Sequence, residues 1–86
     1  MSELSTRIRQ FLKPLIKHKV DLAFQHKTTH YFLNTVESYL EFEDLNTNEL
    51  GEIAGKLQDF IKNFSKNDIE ERRAFTLLLR IANKAQ

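Results

Sequence analysis

Cysteine is absent from the 86 residues, which excludes a disulfide, a thiolate metal site and a cysteine nucleophile. Two glycines and one proline leave little material for the turns of a β architecture. No apolar run approaches the roughly 20 residues that cross a bilayer. The N-terminal stretch MSELSTRIRQ lacks the apolar segment of a secretory signal. The expectation is one soluble domain, residues 1–86, in a reducing compartment, the cytoplasm, with no membrane association. A domain of this length buries only roughly 60% of the surface its unfolded chain exposes, so modest stability is expected.

Catalytic motifs are missing as well. There is no glycine-rich phosphate loop and no G-x-S-x-G. The carboxylates Glu41, Glu43 and Asp44 stand together without a His or Ser placed to complete a triad. A domain this small has little room for a sizeable pocket. The sequence therefore predicts a protein that is not an enzyme and needs no cofactor.

What is present is helical periodicity. From Asn46 to Phe64, Leu50, Ile53, Ala54, Leu57, Phe60, Ile61 and Phe64 recur at spacings of three and four. They fill an arc of roughly 120°, the width of a core-facing stripe. Asn46 and Glu49 form an approximate capping box at its start, and Glu49 and Glu52 suit the positive end of the helix dipole. Asn67 and Glu70 repeat the pattern before a last helix over 68–84. Ser65–Asn67 and Asp44–Thr47 read as short connections between antiparallel neighbours.

The N-terminal half is harder to read. Over residues 3–18, Leu4, Ile8, Phe11 and Leu15 share a helix face, with Leu12 and Ile16 beside them and Ser2 as the N-cap. Pro14 either kinks this helix or starts a new one near Lys13. In residues 19–30 Val20, Leu22 and Phe24 alternate as in a strand, but no hairpin turn is available, which favours helix. A further helix is expected over 30–42, with Phe32, Val36, Tyr39 and Leu40 on its face. A break near Lys27–Thr29 separates the two, and Thr28 or Thr29 caps the second. The predicted fold is an all-α four-helix bundle, its N-terminal helix kinked or split near Pro14 and again near Lys27–Thr29.

The last helix stands apart. Ala74, Phe75, Leu77, Leu78, Leu79, Ile81, Ala82 and Ala85 cover roughly 200°, more than a one-sided stripe. Either this helix is the centre of its bundle, or its outer part is shared with a second subunit. The second alternative predicts a homodimer with Phe75, Leu79 and Ala82 at the contact.

Charge is unevenly spread. Residues 1–30 carry six Lys/Arg and two acids, 31–60 one Lys and seven acids, and 61–86 six Lys/Arg and three acids. The differences, +4, −6 and +3, sum to the net +1. Basic ends packed beside an acidic middle account for this order, and a bipolar surface that steers a charged partner is the alternative. On the last helix Arg72, Arg73, Arg80 and Lys84 share an arc with Thr76 and Asn83. That arc is a candidate for contacts to phosphates or to an acidic partner, though cations also suit a helix C-terminus.

Two smaller constellations remain. His26 and His30 are four apart and would share a helix face, but a bare pair without a third ligand does not predict a metal site. Gly51 and Gly55 flank the apolar stripe of their helix, marking either a close approach by another helix or simple tolerance. The function expected is a non-enzymatic helical protein–protein interaction module, a small regulator or adaptor that occupies a partner's surface. A small nucleic-acid-binding protein using the basic face of the last helix is the alternative.

Overall fold

The computed structural model describes residues 3–86, with side chains from residue 7 onward. Four helices follow one another: α1 Glu3–Gln25, α2 Thr29–Tyr39, α3 Thr47–Asn63 and α4 Asp68–Lys84. No strand occurs among the described residues, and the fold is a small all-α four-helix bundle. Ser2 as an N-cap and the side chain of Leu4 lie outside the described residues. No described helix is long and apolar enough to cross a membrane.

α1 continues through Pro14, so no second helix begins near Lys13. Pro14 and Gln10 both lie on exposed positions. The Gln10 carbonyl that loses its helical donor is therefore within reach of water, which lessens the usual penalty of an interior proline. The expected break at Lys27 is present. The Thr28 N–H bonds the Ala23 carbonyl at 3.1 Å, and the Lys27 N–H bonds that of Phe24 at 3.2 Å. Together they make a Schellman C-cap with Lys27 left-handed at φ 56°. Thr28 occupies the N-cap position of α2 without capping it, because its hydroxyl donates backward to the Ala23 carbonyl at 3.2 Å.

α2 ends at Tyr39, three residues earlier than the periodicity suggests. The chain from Leu40 to Asn46 is a turn-rich connection that still buries Leu40 and Phe42. At α3 the capping box is complete. The Asn46 side chain accepts from the Glu49 N–H, and the Glu49 carboxylate accepts from the Asn46 N–H, both at 2.9 Å. At α4 only half of it forms. Asn67 accepts from the Glu70 N–H, whereas the Glu70 carboxylate takes the Lys66 N–H at 2.7 Å and the Thr29 hydroxyl at 3.0 Å. The Glu70 side chain thereby ties the start of α4 to the start of α2.

α1 packs chiefly on α2, and α4 on α3 and α2. The core forms around Phe32, Leu33, Val36 and Tyr39 of α2, Ile53, Leu57 and Phe60 of α3, and Ala74, Leu77 and Ile81 of α4. Among the described side chains of α1, Val20 and Ala23 are the buried ones. Phe24, Phe32, Phe60 and Phe64 form an aromatic cluster with ring centroids 4.8–6.2 Å apart. Leu57 and Phe60 are fully enclosed, whereas Leu78 is only half-buried because Leu77 takes the inward position beside Ile81.

Candidate interaction surfaces

α4 is peripheral. Its inward face is Ala74, Leu77 and Ile81, within about 60° on a wheel of 100° per residue. Phe75, Leu79 and Ala82 occupy another 60° arc and face solvent, Phe75 with 51% and Leu79 with 67% of its surface exposed. α4 is therefore not the buried centre of the bundle. Asp68 falls within this arc at the start of α4, and its edges carry both signs, with Glu71 on one side and Arg72 on the other.

α1 departs further from expectation. The face that sequence periodicity singles out, Ile8, Phe11 and Leu15, points away from the bundle. Ile8 is 51%, Phe11 72%, Leu12 41% and Leu15 48% exposed. The core is reached from the other side, through Ile16, Val20, Ala23 and Phe24. Along the N-terminal half that inward side is basic and meets the acidic middle of the chain. Arg9 donates to the Glu41 carbonyl at 3.2 Å and lies over the Phe42 ring. Lys13 pairs with Glu49 at 3.2 Å and Asp44 at 3.4 Å, and Lys17 with Glu52 at 3.1 Å and Asp21 at 2.8 Å. Lys56 of α3 reaches back to Asp21 at 3.6 Å.

These contacts shift proton affinities. Burial pulls the Lys17 ammonium down, but hydrogen bonds to Asp21 and Glu52 outweigh it and hold its pKa above the usual value. The Asn46 N–H stabilises the Glu49 carboxylate against its burial, Lys13 adds to this, and its pKa falls below the ordinary range. Burial, together with the nearby charge of Glu49, pushes the Tyr39 phenol up to about 12. Tyr39 donates its hydroxyl to Glu49 at 3.4 Å, so Lys13, Glu49 and Tyr39 form one chain of contacts from α1 through α3 to α2.

The basic arc of α4 is partly engaged. Arg73 donates to Asn34 at 2.6 Å and lies 3.8 Å from Glu37, as expected of basic ends beside an acidic middle. Arg72, Arg80 and Lys84 carry no ion pair among the described residues, and the Thr76 hydroxyl turns back to the Arg72 carbonyl. His26 lies in the turn after α1 and His30 in α2, so the break at Lys27 removes the shared helix face assumed for them. Among the described residues no group of three or more His, Cys, Asp or Glu is placed to hold a metal ion. Glu41, Glu43 and Asp44 are exposed on the α2–α3 connection. Gly51 and Gly55 lie on the outer side of α3, and a Cβ at either would meet nothing within 4 Å, so no helix of this chain approaches them closely.

Sequence reasoning missed the outward role of Ile8, Phe11, Leu12 and Leu15. A signal was available: Arg9, Lys13 and Lys17 recur every four residues on the opposite face, matched by the acids of residues 37–52. Comparison of the chain with protein-family models, curated proteins and solved structures finds no match.

Proposed function

We propose that this protein is a non-enzymatic protein–protein interaction module, a small regulator or adaptor that occupies a surface on a partner, and that it forms a homodimer through α4. The supporting observation is the arc of Phe75, Leu79 and Ala82, apolar and exposed on a helix whose opposite side supplies the core. Contiguous exposed apolar surface marks association sites. Antiparallel pairing of two copies of α4 about a two-fold axis sets Phe75 against Leu79 of the copy, and Leu79 against Phe75, so one patch is its own complement. The mixed charge at its edges lets two copies meet without a concentration of one sign.

Nucleic-acid binding through Arg72, Arg73, Arg80 and Lys84 has less support, because Arg73 is held by Asn34 and Glu37. It would show as a steep loss of affinity with salt. Sedimentation equilibrium tests the dimer. Wild-type protein is expected to dimerise with rising concentration, and Phe75→Glu and Leu79→Glu to give folded monomers. A wild-type protein that stays monomeric at high concentration refutes it.

A further inference from the structure

We infer that the first half of α1 is a strap latched by charge. The stretch from Arg7 to Lys13 lifts off the bundle about a hinge at Pro14, increasingly so as ionic strength rises, while the rest of α1 and the core stay folded. This conformational device is independent of the dimer contact on α4.

α1 is anchored to the bundle at one end. Between residues 7 and 19 no side chain is buried, and the first that is buried is Val20, followed by Ala23. Ile16 and Phe24 pack on the core beside them. Ile8, Phe11 and Leu12 are exposed, so the strap brings no enclosed apolar side chain to the bundle. Arg9 and Lys13 fasten it to the α2–α3 connection and to α3 instead. Arg9 donates to the Glu41 carbonyl at 3.2 Å, and its guanidinium lies 5.9 Å from the centre of the Phe42 ring. Lys13 meets Glu49 at 3.2 Å and Asp44 at 3.4 Å. Arg9, Glu41 and Asp44 are exposed, which leaves the latch open to counterions. The Debye length shrinks from about 10 Å at 0.1 M salt to about 3 Å at 1 M, so exposed pairs weaken over that range.

Pro14 sets the boundary of the moving part. It offers no N–H to the Gln10 carbonyl, so one backbone hydrogen bond between the strap and the remainder of α1 is missing. Beyond it, Lys17 is held by Asp21 and Glu52, and Val20 and Ala23 enter the core. Helices shorter than about 12–15 residues are marginal in water without packing, so the strap unwinds when its contacts are lost. Few buried apolar contacts and solvent-exposed backbone bonds are the properties of a segment that opens locally, below global unfolding. Opening uncovers the Phe42 ring and frees the Asp44 and Glu49 carboxylates from Lys13. It also carries Ile8, Phe11 and Leu12 away, so the outward apolar face of α1 is rigid only while the latch is shut.

Amide hydrogen exchange followed residue by residue by NMR on the full chain tests this. In low salt, the amides of Ile8–Lys13 are expected to be protected, but at least about tenfold less than those of Ala23 and Leu57. Raising NaCl from about 0.05 M to about 1 M should lower protection over Ile8–Lys13 by about threefold or more, with Ala23 and Leu57 unchanged. Lys13→Gln should lower it by about two- to fivefold in low salt and shrink the salt effect. Pro14→Ala, which restores the bond to Gln10, should raise it by about fivefold or more. Unchanged protection of Ala23 and Leu57 in both variants shows that the fold is intact. Protection over Ile8–Lys13 equal to that of Ala23 overturns the inference, because the strap would then open only with the whole molecule. Exchange there at the unprotected rate in low salt also overturns it, since no latch would exist. So does protection that ignores salt or Lys13→Gln, or a Pro14→Ala variant that exchanges like wild type, which would place the hinge elsewhere.

Discussion

Replacing Gly51 and Gly55 by alanine should make this protein more stable. Both lie inside α3, neither has positive φ, both are exposed, and a Cβ at either meets nothing within 4 Å. Glycine in a helix interior is about 0.8–1.0 kcal/mol less favourable than alanine, because its unfolded chain has more freedom to lose. With no clash to subtract, the double variant should gain about 1.5–2 kcal/mol. At about 2.1 cal/mol/K per residue, 86 residues give an unfolding entropy near 0.18 kcal/mol/K, so Tm should rise by about 8–11 °C. Thermal melts by circular dichroism, at dilution that suppresses any dimer, measure this. Urea unfolding should show a higher midpoint at unchanged slope. An unchanged or lower Tm would mean that something approaches α3 closely at these positions, and the outer face of α3 would have to be reassigned.

Lys27→Gly should also stabilise, by about 1 kcal/mol, because it relieves a left-handed residue at the C-cap of α1 while keeping both capping bonds; equilibrium urea unfolding reads it directly. Leu57→Ala should cost about 2–5 kcal/mol, since the side chain is fully enclosed, and a melting temperature equal to wild type would displace α3 from the core. On the acid side, the depressed pKa of Glu49 means that its contribution is present above the unfolded carboxylate range and is lost as pH falls through the folded value; Glu49→Gln should flatten that limb of the stability curve. On the alkaline side, the Tyr39 phenol is raised from 10.0 to about 12, so its contribution is present below pH 10 and lost as pH climbs toward 12; Tyr39→Phe should remove that decline.

The C-terminal half was legible because its local signals agree. Asn46 with Glu49 and Asn67 with Glu70 mark two helix starts, and the stripe from Leu50 to Phe60 has one interpretation, the core. α1 was less legible because it carries two competing faces. The inner face of its first half holds Arg9, Lys13 and Lys17, which are accommodated by the Glu41 carbonyl, Asp44, Glu49 and Glu52 rather than by apolar packing. Hydrophobic periodicity follows Ile8, Phe11 and Leu15 instead, and so points outward. Lys27 shows a similar limit: glycine is the usual residue in a Schellman cap, and nothing in the side chain of lysine announces a positive φ. The width of the α4 arc left two readings open, a central helix or a shared one, and only tertiary packing shows that Phe75 and Leu79 stay exposed and that Leu77, and not Leu78, turns fully inward.

The account rests on one structural claim, that the outer faces of α1 and α4 lie outside the core. The most direct measurement is the thermal melt of the fourfold variant Phe11→Glu, Leu15→Glu, Phe75→Glu, Leu79→Glu, followed by circular dichroism beside wild type at the same low concentration. Surface substitutions away from packed groups usually change stability by about 0.5 kcal/mol or less in either direction, so four of them shift the melt by less than about 11 °C without removing its cooperativity. The expected result is a fully helical monomer whose melt stays cooperative and close to that of the wild-type monomer. Loss of helix, or of a cooperative transition, would place at least one of these faces inside the core and contradict the account.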